Sequence, residues 1–143
     1  MVRAVLILLV GALVSGGVVL WRLPAQEQVA AVFIANDSVR PATFASFLDN
    51  QKPILIDIRT PEEFADAHIA GAMNIDFYAP DFQQHIAQLD RTVPYAIYCR
   101  SGNRTGETLR MMRELGFTYV YDLAGGILAW ETAGYRTCNR FTC

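Results

Sequence analysis

The chain alternates short apolar segments with segments of helical spacing, and this alternation restricts the folds open to it. Residues 53–58 (PILIDI) and 95–99 (YAIYC) are nearly continuous apolar runs, which are typical of strands buried on both faces of a sheet. Residues 71–76 and 119–123 predict two further strands. With helices between the strands, the pattern predicts an α/β domain with a mostly parallel central sheet flanked by helices.

The segments around these strands carry helix signals of several kinds. Residues 36–51 contain an apolar stripe and a proline at Pro41, which suits the first turn of a helix. Residues 60–68 begin with Thr60 as the predicted N-cap and Glu63 as its partner in a capping box. Three more helices are predicted over residues 80–89, 104–116 and 126–134, the last two ended by glycines.

The chain has 143 residues, which is enough for one domain with a sizeable core but not for two. We divide it into an N-terminal segment (1–22), a linker (23–35), a domain (36–137) and a tail that contains two cysteines (138–143).

The N-terminal segment has no charged residue over the 18 positions from Ala4 to Trp21. That length reaches what a membrane-spanning helix needs, and Trp21 with Arg22 would suit the membrane interface. Besides a plain buried helix, two interpretations stay open: an uncleaved transmembrane helix that anchors the chain, or a cleaved signal segment. Both place the domain outside the cytoplasmic membrane, either tethered to it or free in the periplasm.

Cys99 lies where the apolar run 95–99 meets a turn-rich loop and then a helix. Ligands of parallel sheets bind beyond the carboxyl ends of the strands, which is where Cys99 is expected. Backbone N–H groups of such a loop can form an anion cradle, and the start of the next helix adds positive charge. Arg100 and Arg104 add further charge, so the loop favours a reactive thiolate. The alternative, a buried structural cysteine, explains neither Gly102 nor the two arginines.

The net charge of the chain and the positions of its arginines indicate which kinds of molecule it can bind. The net charge of −2 argues against nucleic acid as a partner. Locally, however, arginines are concentrated around the Cys99 loop, which suits a small anion because the guanidinium group binds oxyanions well. These arginines are Arg91, Arg100, Arg104, Arg110 and Arg113, of which the last two fit a solvated helix face.

The segment CRSGNR, residues 99–104, resembles the active-site loop of rhodanese-domain sulfurtransferases. Three more segments resemble that family in the same order along the chain: IDIRTPEEF (56–64), AHIAGAMNI (67–75) and LAGGILAW (123–130). Two residues depart from the family pattern. Ala67 stands where the family usually has glycine, and Ala70 where proline is common. The resemblance covers residues 36–135 and implies a rhodanese-like domain.

The resemblance implies a sulfur-transfer reaction with Cys99 as the catalytic nucleophile. Its thiolate would take a sulfane sulfur from thiosulfate or from a persulfide or polysulfide donor and hold it as a persulfide. A thiol, cyanide or a protein would then accept the sulfur, with no metal and no organic cofactor. The donor would bind to the loop, with Arg104 orienting it. The implied binding residues are Arg100, Ser101, Gly102, Asn103, Arg104 and Thr105.

Other residues of the matching segments are interpreted as structural. Asp57 and Arg59 are predicted to support the site, with Arg59 in an ion pair with Glu62 or Glu63. His68 is expected to pack and form hydrogen bonds, because thiolate chemistry needs no base here. The Gly125–Gly126 pair is assigned to a tight turn.

Cys138 and Cys143 close the tail with a C-x4-C spacing that permits a disulfide in an oxidising compartment. Two free thiols or half of a metal site are alternatives. A disulfide there would remove two thiols that could otherwise compete with Cys99, which we expect to be an exposed, reactive thiol.

Three further functions stay open at this stage. Cysteine-dependent phosphatases place their arginine six positions after the cysteine, whereas Arg104 is five positions after Cys99 and Thr105 is the sixth. The shorter loop suits a sulfur atom better than a phosphate. The second alternative function is that of a non-catalytic rhodanese-fold binding module. The third is that of a membrane-associated sulfur carrier. The sequence does not identify the physiological donor, the acceptor or the oligomeric state.

Overall fold

The computed structural model describes residues 35–143, which form a five-stranded parallel sheet covered by helices on both faces. The sheet has the strand order β1-β5-β4-β2-β3. The strands are β1 (Ala35–Val39), β2 (Ile54–Asp57), β3 (Met73–Asn74), β4 (Tyr95–Tyr98) and β5 (Tyr119–Leu123). The helices are α1 (Pro41–Gln51), α2 (Pro61–Asp66), α3 (Phe82–Gln88), α4 (Asn103–Glu114) and α5 (Gly126–Thr132). The predicted α/β fold with a parallel central sheet is confirmed.

Strand β4 lies at the centre of the sheet, and all four of its residues are buried. It pairs in parallel with β2 on one side and with β5 on the other, so that Ile97 lies beside both Ile56 and Asp122. Because all strands run the same way, their carboxyl ends meet at one edge of the sheet. Cys99 follows β4 directly at that edge.

The pleat of β4 sends alternate side chains into two separate cores. Tyr95, Ile97 and Cys99 belong to the core that α3 and α4 cover, together with Phe82, Ile86, Leu109 and Met112. Ala96 and Tyr98 belong to the core that α1 and α5 cover, together with Phe44, Phe47, Ile127 and Trp130. This alternation fixes the face on which the Cys99 side chain lies.

The start of the domain differs from the prediction. Residues 36–39, which we had grouped with the first helix, form strand β1, which pairs with β5. Ala35, which we had assigned to the linker, is also in this strand. The helix begins only at Pro41, because a residue before proline, here Arg40, is disfavoured in helical conformation.

No helix within residues 35–143 is both long and apolar enough to cross a membrane. The predicted anchor or signal segment, residues 1–22, lies outside the described residues, and so does the linker apart from Ala35. The extracytoplasmic location stays a prediction.

Candidate active site

The Cys99 thiol lies at the start of the loop that connects β4 to α4. Its side chain is only 1% exposed. The backbone N–H of Gly102 donates a hydrogen bond to Sγ at 3.1 Å, and α4 begins one residue later at Asn103. Gly102 has a φ of +98°, a left-handed conformation that glycine adopts without strain and that turns its N–H toward the sulfur. Both the amide and the positive end of α4 therefore favour negative charge on Sγ.

The loop keeps this orientation because α5 holds its carbonyl groups. The N–H of Ile127 donates to the carbonyl of Cys99 at 2.9 Å, and the N–H of Leu128 donates to the carbonyl of Arg100 at 3.3 Å. Gly126, with a φ of +59°, lies directly against these two carbonyls. These two bonds hold the loop in the conformation in which the Gly102 N–H donates to Sγ.

Thr105 lies in the first turn of α4 and is fully buried. Its Oγ1 is 3.7 Å from Cys99 Sγ and donates a hydrogen bond to the carbonyl of Gly102 at 3.0 Å. Thr105 therefore fixes the turn that presents the Gly102 amide. The prediction that this residue belongs to the loop site agrees with its position, whereas its contact with substrate stays a prediction.

Arg104 does not point freely into the site. Its two terminal nitrogens donate to the two carboxylate oxygens of Glu63 at 2.8 and 2.9 Å, and its guanidinium lies 5.6 Å from the ring centroid of Tyr78. Sequence reasoning missed both partners, because they lie 41 and 26 positions before Arg104. The hydrogen bond with Arg104 holds the pKa of Glu63 below its ordinary value and raises that of Arg104.

Arg59 has a different partner from the one predicted. It pairs with Asp57 rather than with Glu62 or Glu63, with nitrogen–oxygen distances of 2.6 and 3.0 Å. Both side chains are buried, and Arg59 also donates to the carbonyl of Ala67. Asp57 is the better placed carboxylate because Glu63 is already bound to Arg104. The Asp57–Arg59 pair thus fixes the chain that follows β2.

The remaining predicted residues divide into two groups. Arg100 and Ser101 are exposed on the loop, and Asn103 is exposed at the start of α4. His68 contacts neither the loop nor Cys99 through its hydrogen bonds: its Nδ1 lies 2.8 Å from the carbonyl of Phe64, and its ring stacks on the Phe64 ring. His68 therefore packs and forms hydrogen bonds, as the sequence suggested.

The burial of Cys99 differs from our expectation of an exposed thiol. The loop folds around the sulfur, with the Gly102 amide and the Thr105 hydroxyl as its polar neighbours. Cys99 is also not disulfide-bonded, whereas Cys138 and Cys143 are joined to each other. The expectation of an exposed thiol is therefore wrong: Cys99 is free but buried.

Sequence reasoning also missed Asp122, which is 3% exposed in β5. Ser38 donates to its Oδ2 at 2.9 Å, and burial raises the pKa of this carboxyl above its ordinary value. Burial therefore disfavours the ionised form of this carboxyl relative to an exposed aspartate. The available signal was an aspartate inside an otherwise apolar strand, YVYDL.

We expect Glu63→Gln to remove a pH-dependent part of the stability. The pKa of Glu63 is lowered in the folded state, so its contribution is fully present above its unfolded value, about 4.3, and is lost as the pH falls through the folded value. At pH 7 the variant should be less stable by about 1 kcal/mol. On acidification, the difference from the unmodified chain should shrink. Urea unfolding at several pH values measures both effects.

Glu114→Gln is the matched control. Glu114 pairs with Arg110 at 2.8 Å, but both side chains are about two-thirds exposed (65% and 64%), so solvent screens the pair. This variant should show almost no change. An equal, pH-independent loss in both variants would contradict the role given to Glu63.

Comparisons with known proteins identify relatives of this chain. The family model described as "Rhodanese-like domain" matches residues 40–133. The uncharacterized protein slr1261 of Synechocystis is 32% identical over 102 residues, which cover 71% of this chain but 56% of that protein. The chain thus spans little more than half of this relative. A protein of Allochromatium vinosum named sulfurtransferase is 35% identical over 86 residues, covering 60% of this chain and 78% of the relative.

Among solved structures, a rhodanese-related protein from Thermoplasma volcanium has a similar fold. It superposes with a TM-score of 0.63 at 26% sequence identity, covering 71% of this chain and 97% of the other. The similarity thus includes nearly the whole of that protein.

Proposed function

The chain belongs to the rhodanese-like domain family, and on that premise we propose that it is a sulfurtransferase that carries a sulfane sulfur on Cys99. The observation that supports this best is the position of Sγ, 3.1 Å from the Gly102 amide and just before α4. An anion-favouring environment of this kind suits a thiolate nucleophile. Relatives named sulfurtransferase support the general activity, whereas the donor and the persulfide on Cys99 belong to the proposal.

The first half-reaction loads the enzyme. The Cys99 thiolate attacks the outer sulfur of a donor such as thiosulfate, and a new S–S bond forms. The S–S bond of thiosulfate breaks, and its electron pair leaves with sulfite. Cys99 then carries a terminal sulfur with the negative charge that the thiolate had before, so no proton is needed in this step.

The second half-reaction removes the sulfur. A nucleophile, such as cyanide or a thiolate, attacks the terminal sulfur and forms a bond to it. The S–S bond to Cys99 breaks, and its electron pair returns to Sγ. With cyanide the product is thiocyanate, and the Cys99 thiolate is regenerated.

The loop amides explain how the persulfide would be stabilised. The terminal sulfur would extend one bond beyond Sγ, which already accepts a hydrogen bond from the Gly102 N–H, within a loop whose Cys99 and Arg100 carbonyls are bound by α5. Fixed amide donors and the start of α4 stabilise such a charge without reorganisation. The bound carbonyls of Cys99 and Arg100 keep those amides in place.

Arg104 would contribute less than its formal charge suggests. Its pair with Glu63 is neutral overall, and an incoming donor must compete with that carboxylate for the guanidinium. Arginine has five N–H donors, of which Glu63 engages two, so an anion can be bound without breaking the pair. We therefore assign Arg104 to orienting the donor.

We also propose that the domain works outside the cytoplasmic membrane. The Cys138–Cys143 disulfide supports this location, because disulfides persist mainly in oxidising compartments. Protease treatment of spheroplasts tests it. Digestion of the domain from outside is the expected result, and full protection until lysis would contradict it.

Intact mass spectrometry tests the persulfide. The full chain with Cys138→Ser and Cys143→Ser retains Cys99 as its one cysteine. After thiosulfate treatment and removal of the excess, its mass should increase by one sulfur atom, and cyanide should release that sulfur as thiocyanate. If no sulfur is added although Cys99 is shown to be reduced, the domain is a binding module rather than an enzyme.

A further inference from the structure

The segment after α5 brings two cysteines beside a histidine. The N–H of His68 donates to the carbonyl of Cys138 at 2.8 Å, and the N–H of Cys138 donates to the carbonyl of His68 at 2.7 Å. Cys143 joins Cys138 through the disulfide. Within residues 35–143, His68, Cys138 and Cys143 form a group of potential metal ligands whose ligand atoms all lie within 4.8 Å of one another. We call His68, Cys138 and Cys143 the tail cluster.

The orientation of His68 leaves one ring nitrogen available to the cysteines. Because a carbonyl only accepts hydrogen bonds, the contact between Nδ1 and the carbonyl of Phe64 at 2.8 Å places the proton of the neutral ring on Nδ1. Nε2 then has a free lone pair and lies 3.9 Å from Cys143 Sγ. In metal-binding histidines, the ring nitrogen that does not bind the metal usually donates a hydrogen bond to a carboxylate, a carbonyl or a water molecule. The Phe64 ring, stacked at 4.1 Å, fixes the plane of the imidazole.

We propose that the tail cluster is a redox-controlled zinc site, formed when the Cys138–Cys143 disulfide is reduced. A dithiol reductant supplies two electrons and two protons, so that the disulfide becomes two thiols while the reductant becomes a disulfide. Zn²⁺ then binds Sγ of both cysteines and Nε2 of His68, and the two thiol protons are released. Two thiolates and one imidazole are a ligand set that zinc prefers, and a water molecule completes the tetrahedron.

The geometry allows both states with little change in the fold. Zinc-bound sulfurs lie further apart than disulfide-bonded ones, because each lies about 2.3 Å from the metal. Cys143 is exposed and can move outward, whereas Cys138 is held by its two backbone hydrogen bonds to His68. The same two sulfurs serve either the disulfide or the metal. Oxidation and zinc binding therefore exclude each other.

Cobalt binding tests this site. Co²⁺ replaces Zn²⁺ in such sites and shows thiolate-to-metal charge-transfer and visible absorption bands when tetrahedrally bound. The test uses the full chain with the substitution Cys99→Ser, which leaves Cys138 and Cys143 as its cysteines. A phosphine reduces their disulfide. The reduced protein should bind one Co²⁺ with these bands, and Zn²⁺ should displace it. The oxidised protein should show neither band.

Ligand variants separate a built site from adventitious binding by thiols. Loss of a mere supporting hydrogen bond weakens metal binding about 10–100-fold, so loss of a direct ligand in His68→Ala or Cys143→Ser should weaken it at least as much. His85→Ala is the matched control, because His85 is the one other histidine of the chain and pairs with Asp81. Binding that is equal in the His68→Ala and His85→Ala variants would overturn the proposal. So would binding that is unchanged by oxidation, or no binding after reduction.

Discussion

Cys99→Ser should abolish sulfur transfer from thiosulfate to cyanide. A serine hydroxyl stays protonated near neutral pH, and its oxygen cannot hold a sulfane sulfur as a persulfide. Loss of a catalytic nucleophile typically lowers the rate constant kcat by more than about 10⁴-fold, and we expect a loss of at least this size. The rate of thiocyanate formation measures it, with the uncatalysed reaction as the baseline.

The fold should survive this substitution, because serine is slightly smaller than cysteine and can accept the hydrogen bond that the Gly102 N–H donates to Sγ. Urea unfolding of the variant checks this point. Arg110→Gln is a control on α4, the helix that follows the loop, since Arg110 is exposed and pairs with Glu114 rather than with the loop. It should retain its activity. Residual turnover by Cys99→Ser well above the baseline would show that Cys99 is not the sulfur carrier.

Local signals allowed the central part of this fold to be predicted. The capping box between Thr60 and Glu63 is present as expected, because both partners lie within one helical turn. Strand β4 was recognisable because its residues are buried on both faces, which requires a continuous apolar run. Gly102 was recognisable from its position between a strand and a helix.

The features that the sequence did not reveal depend on contacts between distant residues. Strand β1 contains Asn36, Asp37 and Ser38, which favour turns or helix caps by themselves. Pairing with β5 makes this segment a strand, and the Asn36 side chain reinforces that pairing by accepting from the Val120 N–H and donating to the carbonyl of Phe117. Strand formation often depends on such neighbours rather than on local preference.

The same reasoning explains the ion pairs around the site. Arg59 was expected to bind the carboxylates that follow it closely in sequence, but Glu63 faces Arg104 across the site. Once Arg104 engages Glu63, Asp57 is the buried carboxylate left within reach of Arg59. The burial of Cys99 also depends on how the loop closes around the sulfur, which residue types alone do not specify.

Gly126→Ala should disrupt the Cys99 loop and destabilise the domain. A Cβ at this position would clash with the carbonyl oxygen of Cys99 and lie 2.5 Å from the carbonyl carbon and oxygen of Arg100. All three are backbone atoms, so no side-chain rotation relieves the contact. Together with the left-handed φ of +59°, overpacking and strain should cost about 2–5 kcal/mol. The free energy of unfolding, obtained from urea titration, measures this loss.

Gly134→Ala separates backbone strain from the contact with the loop. Gly134 also has a positive φ, +83°, but a Cβ there would meet no atom within 4 Å. This variant should lose only about 1–2 kcal/mol and should keep its sulfur-transfer rate. Gly126→Ala should also transfer sulfur more slowly under conditions in which it remains folded. Displacing the two carbonyls would shift the loop that directs the Gly102 N–H toward Sγ. If the two variants lost equal stability and kept equal rates, Gly126 would serve only as a turn residue, and the loop would not depend on α5 for its shape.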